Sequence, residues 1–224
     1  MSSGIVLFGI ILLAGILVQQ RLAAVIKKNS QRPLYSGLSG KEIAEKMLYQ
    51  NGIFDVRVTC VSGELTDHYN PTNKTVNLSQ NVYHGKSIAS AAIAAHECGH
   101  AIQHKMAYPM LEFRNLIVPV VSFTSQWVQW VLLAGILVIN SFPALFMIGI
   151  AMLAFSVIFS VVTLPVEYNA SARALAWLQN SQSITYLEAD GAKESLQWAA
   201  RTYLVAALSS LATLLYYLGF LRND

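Results

Sequence analysis

Charge is scarce in this chain. Asp, Glu, Lys and Arg make up 12% of its 224 residues, against 54% hydrophobic, and the mean hydropathy is +0.46. Soluble domains carry about 25% charged residues, so this composition describes a membrane protein. Cysteine is nearly absent: Cys60 and Cys98 are too few for a disulfide framework. The net charge of +3 is small, and the basic residues stand beside apolar runs rather than in a patch of their own, which argues against nucleic acid as a partner. No charged start and no small-residue cleavage site accompany the apolar run from Gly4 to Val18, so it reads as an uncleaved anchor, not a signal peptide. Repeats and low-complexity tracts are missing as well.

What remains is four apolar runs separating two polar stretches. Residues 1–20, 116–139, 143–165 and 203–221 are expected to span the membrane, with a tight turn at Asn140 to Phe142 joining the second and third as a hairpin. The Leu22 to Ile26 stretch is able to continue the first span along the interface. Four spans put residues 21–115 and 166–202 on one side, where they can fold as one domain of about 130 residues. Nine basic residues, among them Arg21, Lys27, Lys28, Arg114 and Arg201, flank the spans on that side, against Arg222 alone on the other. Positive charge stays inside, so the domain is expected in the cytoplasm.

Within the first polar stretch, Ala91 to His104 reads AAIAAHECGHAIQH, and His96, Glu97 and His100 spell H-E-x-x-H. On a helix, residues four apart fall about 40° from each other around the axis, so both imidazoles reach one ion with the glutamate beside them. Zinc held in this way keeps a position for water and lowers its pKa toward about 7, and Glu97 is suited to take the proton as that water attacks a carbonyl. The alternative is a buried helix with two satisfied histidines; accidental matches are expected about 0.004 times in a chain of this composition. His104 extends the series but lies about 12 Å along the axis from His96, too far to share the ion on a continuous helix. It reads as a supporting or structural histidine. Cys98 falls on the far side of the helix, as packing. The third ligand must come from elsewhere, with Glu167, Glu188, Asp190 and Glu194 as candidates; Glu167 is also explicable as a first-turn acid facing the helix dipole.

The surroundings of this helix are polar. Ser39 and Glu42 form an S-x-x-E capping box before a helix over 40–51 that Gly52 stops. Phe54 to Cys60 alternates as a strand, and LTDHY, NPTNK and TVNLS read as strand, turn, strand. Ser87 caps the histidine helix, which runs to about Met106. Its apolar portion before His96 is eight residues long, far below a span, which argues against catalysis inside the bilayer.

LTDHYNP (Leu65 to Pro71), NLS (Asn77 to Ser79), AAHECGHAIQH and PVEYNASARAL (Pro165 to Leu175) together resemble the bacterial membrane-associated neutral zinc metallopeptidases of the YugP type. More distantly, the order of strand, H-E-x-x-H helix, membrane hairpin and E-x-x-x-D resembles the HtpX and Ste24-type endopeptidases. The resemblance implies one Zn2+ per chain on His96, His100 and Glu167, with Glu97 as general base. It also implies a substrate lying along the strand before the helix, so that Asp67, His68 and Tyr69 line the cleft. The aspartate of E-x-x-x-D is replaced here by Ser171, which leaves Ser171, or another group such as His104 or Arg173, to orient the ligands. The oxyanion donor stays open among His68, Tyr69, Arg173 and Tyr203. The expected molecule is an α+β, four-helix transmembrane protein with a small gluzincin-like zinc peptidase domain in a bacterial inner membrane. Its partners are protein or peptide substrates and the lipid bilayer, and the alternative is a catalytically silent zinc-containing scaffold.

Overall fold

The computed structural model describes residues 2–222; Met1, the first residue of the first expected span, lies outside them. The chain is mostly helical, in the order α1 (Ser2–Ser30), α2 (Gly40–Gln50), β1 (Arg57–Val61), β2 (His68–Asn70), β3 (Thr75–Ser79), α3 (Gln80–Tyr83), α4 (Ile88–Lys105), α5 (Pro109–Leu137), α6 (Pro143–Asn180) and α7 (Tyr186–Arg222). Four helices, α1, α5, α6 and α7, are long and apolar enough to cross a membrane by length and composition. The contacts divide the chain into two compact units. One holds residues 1–17, 110–165 and 202–224, the other 18–109 and 166–201.

In the first unit the hairpin of α5 and α6 packs through small residues. A methyl group on Gly135 would sit 2.7 Å from the Phe146 Cα, so the two backbones meet there with no room for a side chain. Val128 and Leu132 interlock with Phe146, Ile150 and Leu153, and Leu214 and Tyr217 of α7 close the cluster. Leu116, Phe123, Trp127 and Trp130 remain outward and exposed, an apolar exterior that lipid would cover.

The second unit is built on α4. Ser87 caps it by accepting from the Ser90 N–H, and a run of alanines gives it a narrow face. Ala91, Ala94, Ala95 and Cys98 press against Ile43, Ala44 and Met47 of α2, burying one core with Val76 and Leu78 of β3. The α2 helix opens with the full capping box of Ser39 and Glu42, and Gly52 leaves it at φ 67°, the left-handed conformation a helix stop requires. The sheet has the order β1-β3-β2, with β1 parallel and β2 antiparallel to β3, so β2 forms an edge. The expected strand over Leu65 to Tyr69 is shorter and later. Leu65 takes φ 56°, which breaks extension, and pairing starts only at His68. The β1 strand likewise begins at Arg57 rather than Phe54, which is exposed.

Segments distant in sequence complete this unit. Asn29, fully buried at the end of α1, donates to Gly191 O at 3.1 Å and Ser195 Oγ at 3.0 Å of α7. Lys28 pairs with Glu194 at 2.9 Å. The α4 helix backs onto α6 at Gly99, where an added methyl group would lie 2.7 Å from Ala170 O. That approach brings the histidines of one helix against the carboxylate of the other.

Candidate metal centre

His96, His100 and Glu167 offer ligand atoms that all lie within 4.8 Å of one another, the one such group of three among the described residues. Glu167 Oε2 stands 3.2 Å from His96 Nε2 and 3.6 Å from His100 Nε2. The carboxylate is 2% exposed and His100 is buried, while His96 is half-buried. An acid on α6 therefore faces two imidazoles on α4, whose rings stand 4.8 Å apart and nearly perpendicular. Burial disfavours the Glu167 charge, but hydrogen bonds from His100 and His96 outweigh it and hold the carboxyl far below its ordinary range. For His100 burial again opposes the charge, and the Glu167 carboxylate outweighs it, raising the imidazole above its usual value. The carboxylate thus meets two converging ring nitrogens, a donor set that suits a divalent cation once the imidazoles are neutral.

The outer nitrogens are occupied. Ser171 Oγ lies 3.1 Å from His96 Nδ1, and Gln103 Oε1 lies 3.0 Å from His100 Nδ1. Both rings are held from behind, leaving both Nε2 atoms converging on one point. Two imidazoles and one carboxylate, with outer partners fixing the rings, fit zinc with room for a further ligand.

Glu97 is 8% exposed and turns toward β2, where its Oε2 accepts from the Tyr69 N–H at 3.0 Å. Tyr69 pairs with Val76 in the antiparallel ladder, yet its N–H points away from β3; its carbonyl must face the same free edge. The Tyr69 hydroxyl lies 2.8 Å from His104 Nδ1, so His104 braces the edge strand and stands apart from the three ligand candidates. Asp67 accepts from Ser79 N–H at 2.7 Å and fastens the entry of β2 to the end of β3. His68 binds within the sheet, with Nδ1 2.7 Å from Thr66 O and Nε2 3.1 Å from Asn77 Nδ2. Arg173 donates from Nε to Asn169 Oδ1 at 2.7 Å, one turn back along α6. Of the remaining acidic candidates, Glu188 accepts from the Thr185 and Tyr35 N–H groups at the start of α7, Glu194 pairs with Lys28, and Asp190 is exposed and outside the cluster. Cys98 donates its thiol to Ala44 O, and burial pushes that thiol well up.

The model of a family described as "Putative neutral zinc metallopeptidase" matches residues 4–222. The chain belongs to this family. A relative, "Putative membrane protease YugP" of Bacillus subtilis (strain 168), is 41% identical over 207 residues, covering 92% of this chain and 90% of the relative. No solved structure matches. The match supports a zinc peptidase associated with a membrane, and the His96, His100 and Glu167 cluster is where such a metallopeptidase would hold its ion.

Sequence reasoning missed Gln103 and Asn169. The signal was present in part: a glutamine three residues after His100, in an otherwise apolar helix, falls on the same face as that ligand. Its partners on α6 had no mark in the local pattern.

Proposed function

We propose that the protein is a membrane-bound zinc endopeptidase, with His96, His100 and Glu167 as ligands and Glu97 as general base. The observation that carries this reading is the buried carboxylate of Glu167 within 3.2 and 3.6 Å of the imidazoles of His96 and His100, with a second carboxylate, Glu97, next to His96 in the chain and not drawn into the cluster. Bound zinc would supply a Lewis acid for the scissile carbonyl and make a nearby water acidic. Glu97 takes the proton from the attacking water and returns it to the leaving amine. The Tyr69 N–H keeps that carboxylate aimed while it waits. The free edge of β2, including the Tyr69 carbonyl, offers main-chain hydrogen bonds to an extended peptide, which favours chain segments over folded surfaces as substrates.

Glu167 follows Leu164, the end of the third apolar run, by three residues, so the substrates are membrane proteins or their juxtamembrane segments. The excess of Lys and Arg beside the runs on the metal's side assigns that side to the cytoplasm of a bacterial cell. Glu97→Gln tests the reaction. The variant keeps its zinc and loses peptide hydrolysis by a factor of about 10² to 10⁴, because the ligands stay while the proton acceptor is gone. Hydrolysis at the parental rate refutes the role of Glu97, and a parent that carries zinc but cleaves no member of a peptide library favours the silent scaffold.

A further inference from the structure

Gln103 is 0% exposed and uses both ends of its carboxamide. Its Nε2 donates to Val166 O at 2.8 Å and to Asn169 Oδ1 at 3.0 Å, and its Oε1 faces His100 Nδ1 at 3.0 Å. The polarity of this arrangement has only one solution. A guanidinium can only donate, so Arg173 Nε, 2.7 Å away, makes Asn169 Oδ1 an acceptor. The Val166 carbonyl is an acceptor by nature. Both acceptors therefore call for the amino end of Gln103, which turns its oxygen to His100. That oxygen needs a proton from the ring, so Nδ1 carries a hydrogen, and in the neutral ring Nε2 is the nitrogen whose lone pair is free for a metal.

We propose that Gln103 is a positioning residue for the metal centre: a one-way hydrogen-bond chain from Arg173 through Asn169 and Gln103 sets which nitrogen His100 presents, and the same carboxamide holds the peptide next to Glu167. The inference rests on reading His96, His100 and Glu167 as the zinc ligands. Val166 immediately precedes Glu167, so one side chain fixes the ring of one ligand and the backbone beside another. Two ligands from segments more than sixty residues apart are registered by one carboxamide. The charge that orients the chain is carried by Arg173, which is itself only partly buried and not among the three ligand candidates.

A glutamine that merely joined α4 to α6 would influence stability with and without metal alike. A positioning glutamine changes zinc affinity in protein that remains folded. The test uses the purified full chain in detergent, with zinc affinity read by competition against a chromophoric chelator. Gln103→Met keeps the length of the side chain and removes both polar ends; its zinc affinity is expected to fall about 10- to 100-fold. Asn169→Ala should weaken zinc by less, and the double variant should be no worse than Gln103→Met alone, because Asn169 acts on the metal only through Gln103. Parental affinity in Gln103→Met, or losses that simply add in the double variant, overturns the proposal. Should Gln103→Met not fold, Asn169→Ala decides alone, and unchanged zinc affinity there refutes the chain. In zinc-loaded parent protein labelled with ¹⁵N-histidine, His100 should carry its proton on Nδ1, and a proton on Nε2 contradicts the deduced polarity. His96→Ala is the control. A parent that binds no zinc overturns the metal-centre reading itself, whereas a parent that loses zinc in His96→Ala but not in Gln103→Met overturns only the role of Gln103.

Discussion

Replacing Gly99 by alanine adds one methyl group where α4 backs onto α6. The new Cβ would lie 2.7 Å from Ala170 O and 3.1 Å from both Ala170 C and Cα, all of them backbone atoms that cannot swing aside. Ordinary contact begins near 3.4 Å, so the helices must part by roughly 0.7 Å at this point. His96 and His100 bracket Gly99 on one helix, and Glu167 stands three residues before Ala170 on the other. Separation therefore stretches the 3.2 and 3.6 Å approaches of carboxylate to imidazole. Overpacking of this kind costs about 1–3 kcal/mol. Zinc-free protein relieves the strain by opening, but zinc-loaded protein must close against it, so the cost falls on metal binding. That corresponds to an affinity about 5- to 150-fold weaker. The opposing effect is helix propensity, which favours alanine over glycine by about 1 kcal/mol in both states. Chelator competition measures the first effect, and melting curves with and without zinc separate it from the second. The expected pattern is a zinc-free Tm near or above that of the parent and a smaller rise on adding zinc. Parental zinc affinity together with a raised Tm in both states would refute the claim that this contact sets the spacing of the ligands.

Glu167→Ala should purify without stoichiometric zinc and without hydrolysis, while His104→Ala keeps its metal and part of its activity; elemental analysis decides, and the reverse pattern removes Glu167 from the ligand set. Ser39→Ala should lower stability by about 1 kcal/mol through loss of the α2 cap, measured by denaturant unfolding. Glu42→Gln adds a pH signature: hydrogen bonds from the Ser39 N–H and hydroxyl hold the Glu42 carboxyl below its usual value, so the stability it contributes is present above about pH 4.3 and is lost as pH falls through the folded value. The variant should be less stable than the parent at pH 7, with the gap closing in acid; a gap that widens in acid contradicts the sign. Single cysteines at Asn140 and Asn73, probed with an impermeant reagent on intact cells, should label at the first position only, and labelling at the second reverses the proposed orientation.

The features legible in the sequence are those written by neighbouring residues. The Ser39 and Glu42 box, the Ser87 cap and the turn at Pro71 to Lys74 each need only a few consecutive side chains, and the structure has all three. The approach of two histidines with Glu97 between them follows from helical spacing alone. What local pattern does not contain is the partner. The α1 helix continues to Ser30 through a polar stretch because Lys28 and Asn29 find Glu194, Gly191 and Ser195, more than 160 residues away. Asp67, expected along the cleft, also fastens Ser79 through its carboxylate, a partner that no neighbouring residue announces. Arg173, one of the candidate oxyanion donors, also donates from Nε to Asn169, a contact the sequence reading did not include. Gln103 is marked in part by its place three residues after His100, but its other partners lie in a helix that starts forty residues later.

The division of the polar unit between residues 18–109 and 166–201 gives its completion a place in time. A ribosome that has finished His100 must still add 67 residues before Glu167 exists, and the whole hairpin of α5 and α6 lies in between. At about 5–20 residues per second this interval lasts roughly 3 to 13 s. During it the nascent chain exposes both histidines and Glu97 without the carboxylate that faces them, and the end of α1 waits longer still for Gly191 and Ser195. The order of synthesis therefore withholds the cluster of His96, His100 and Glu167 until the hairpin has been made, so a peptidase centre of the kind proposed would not be assembled while the apolar hairpin is still being produced.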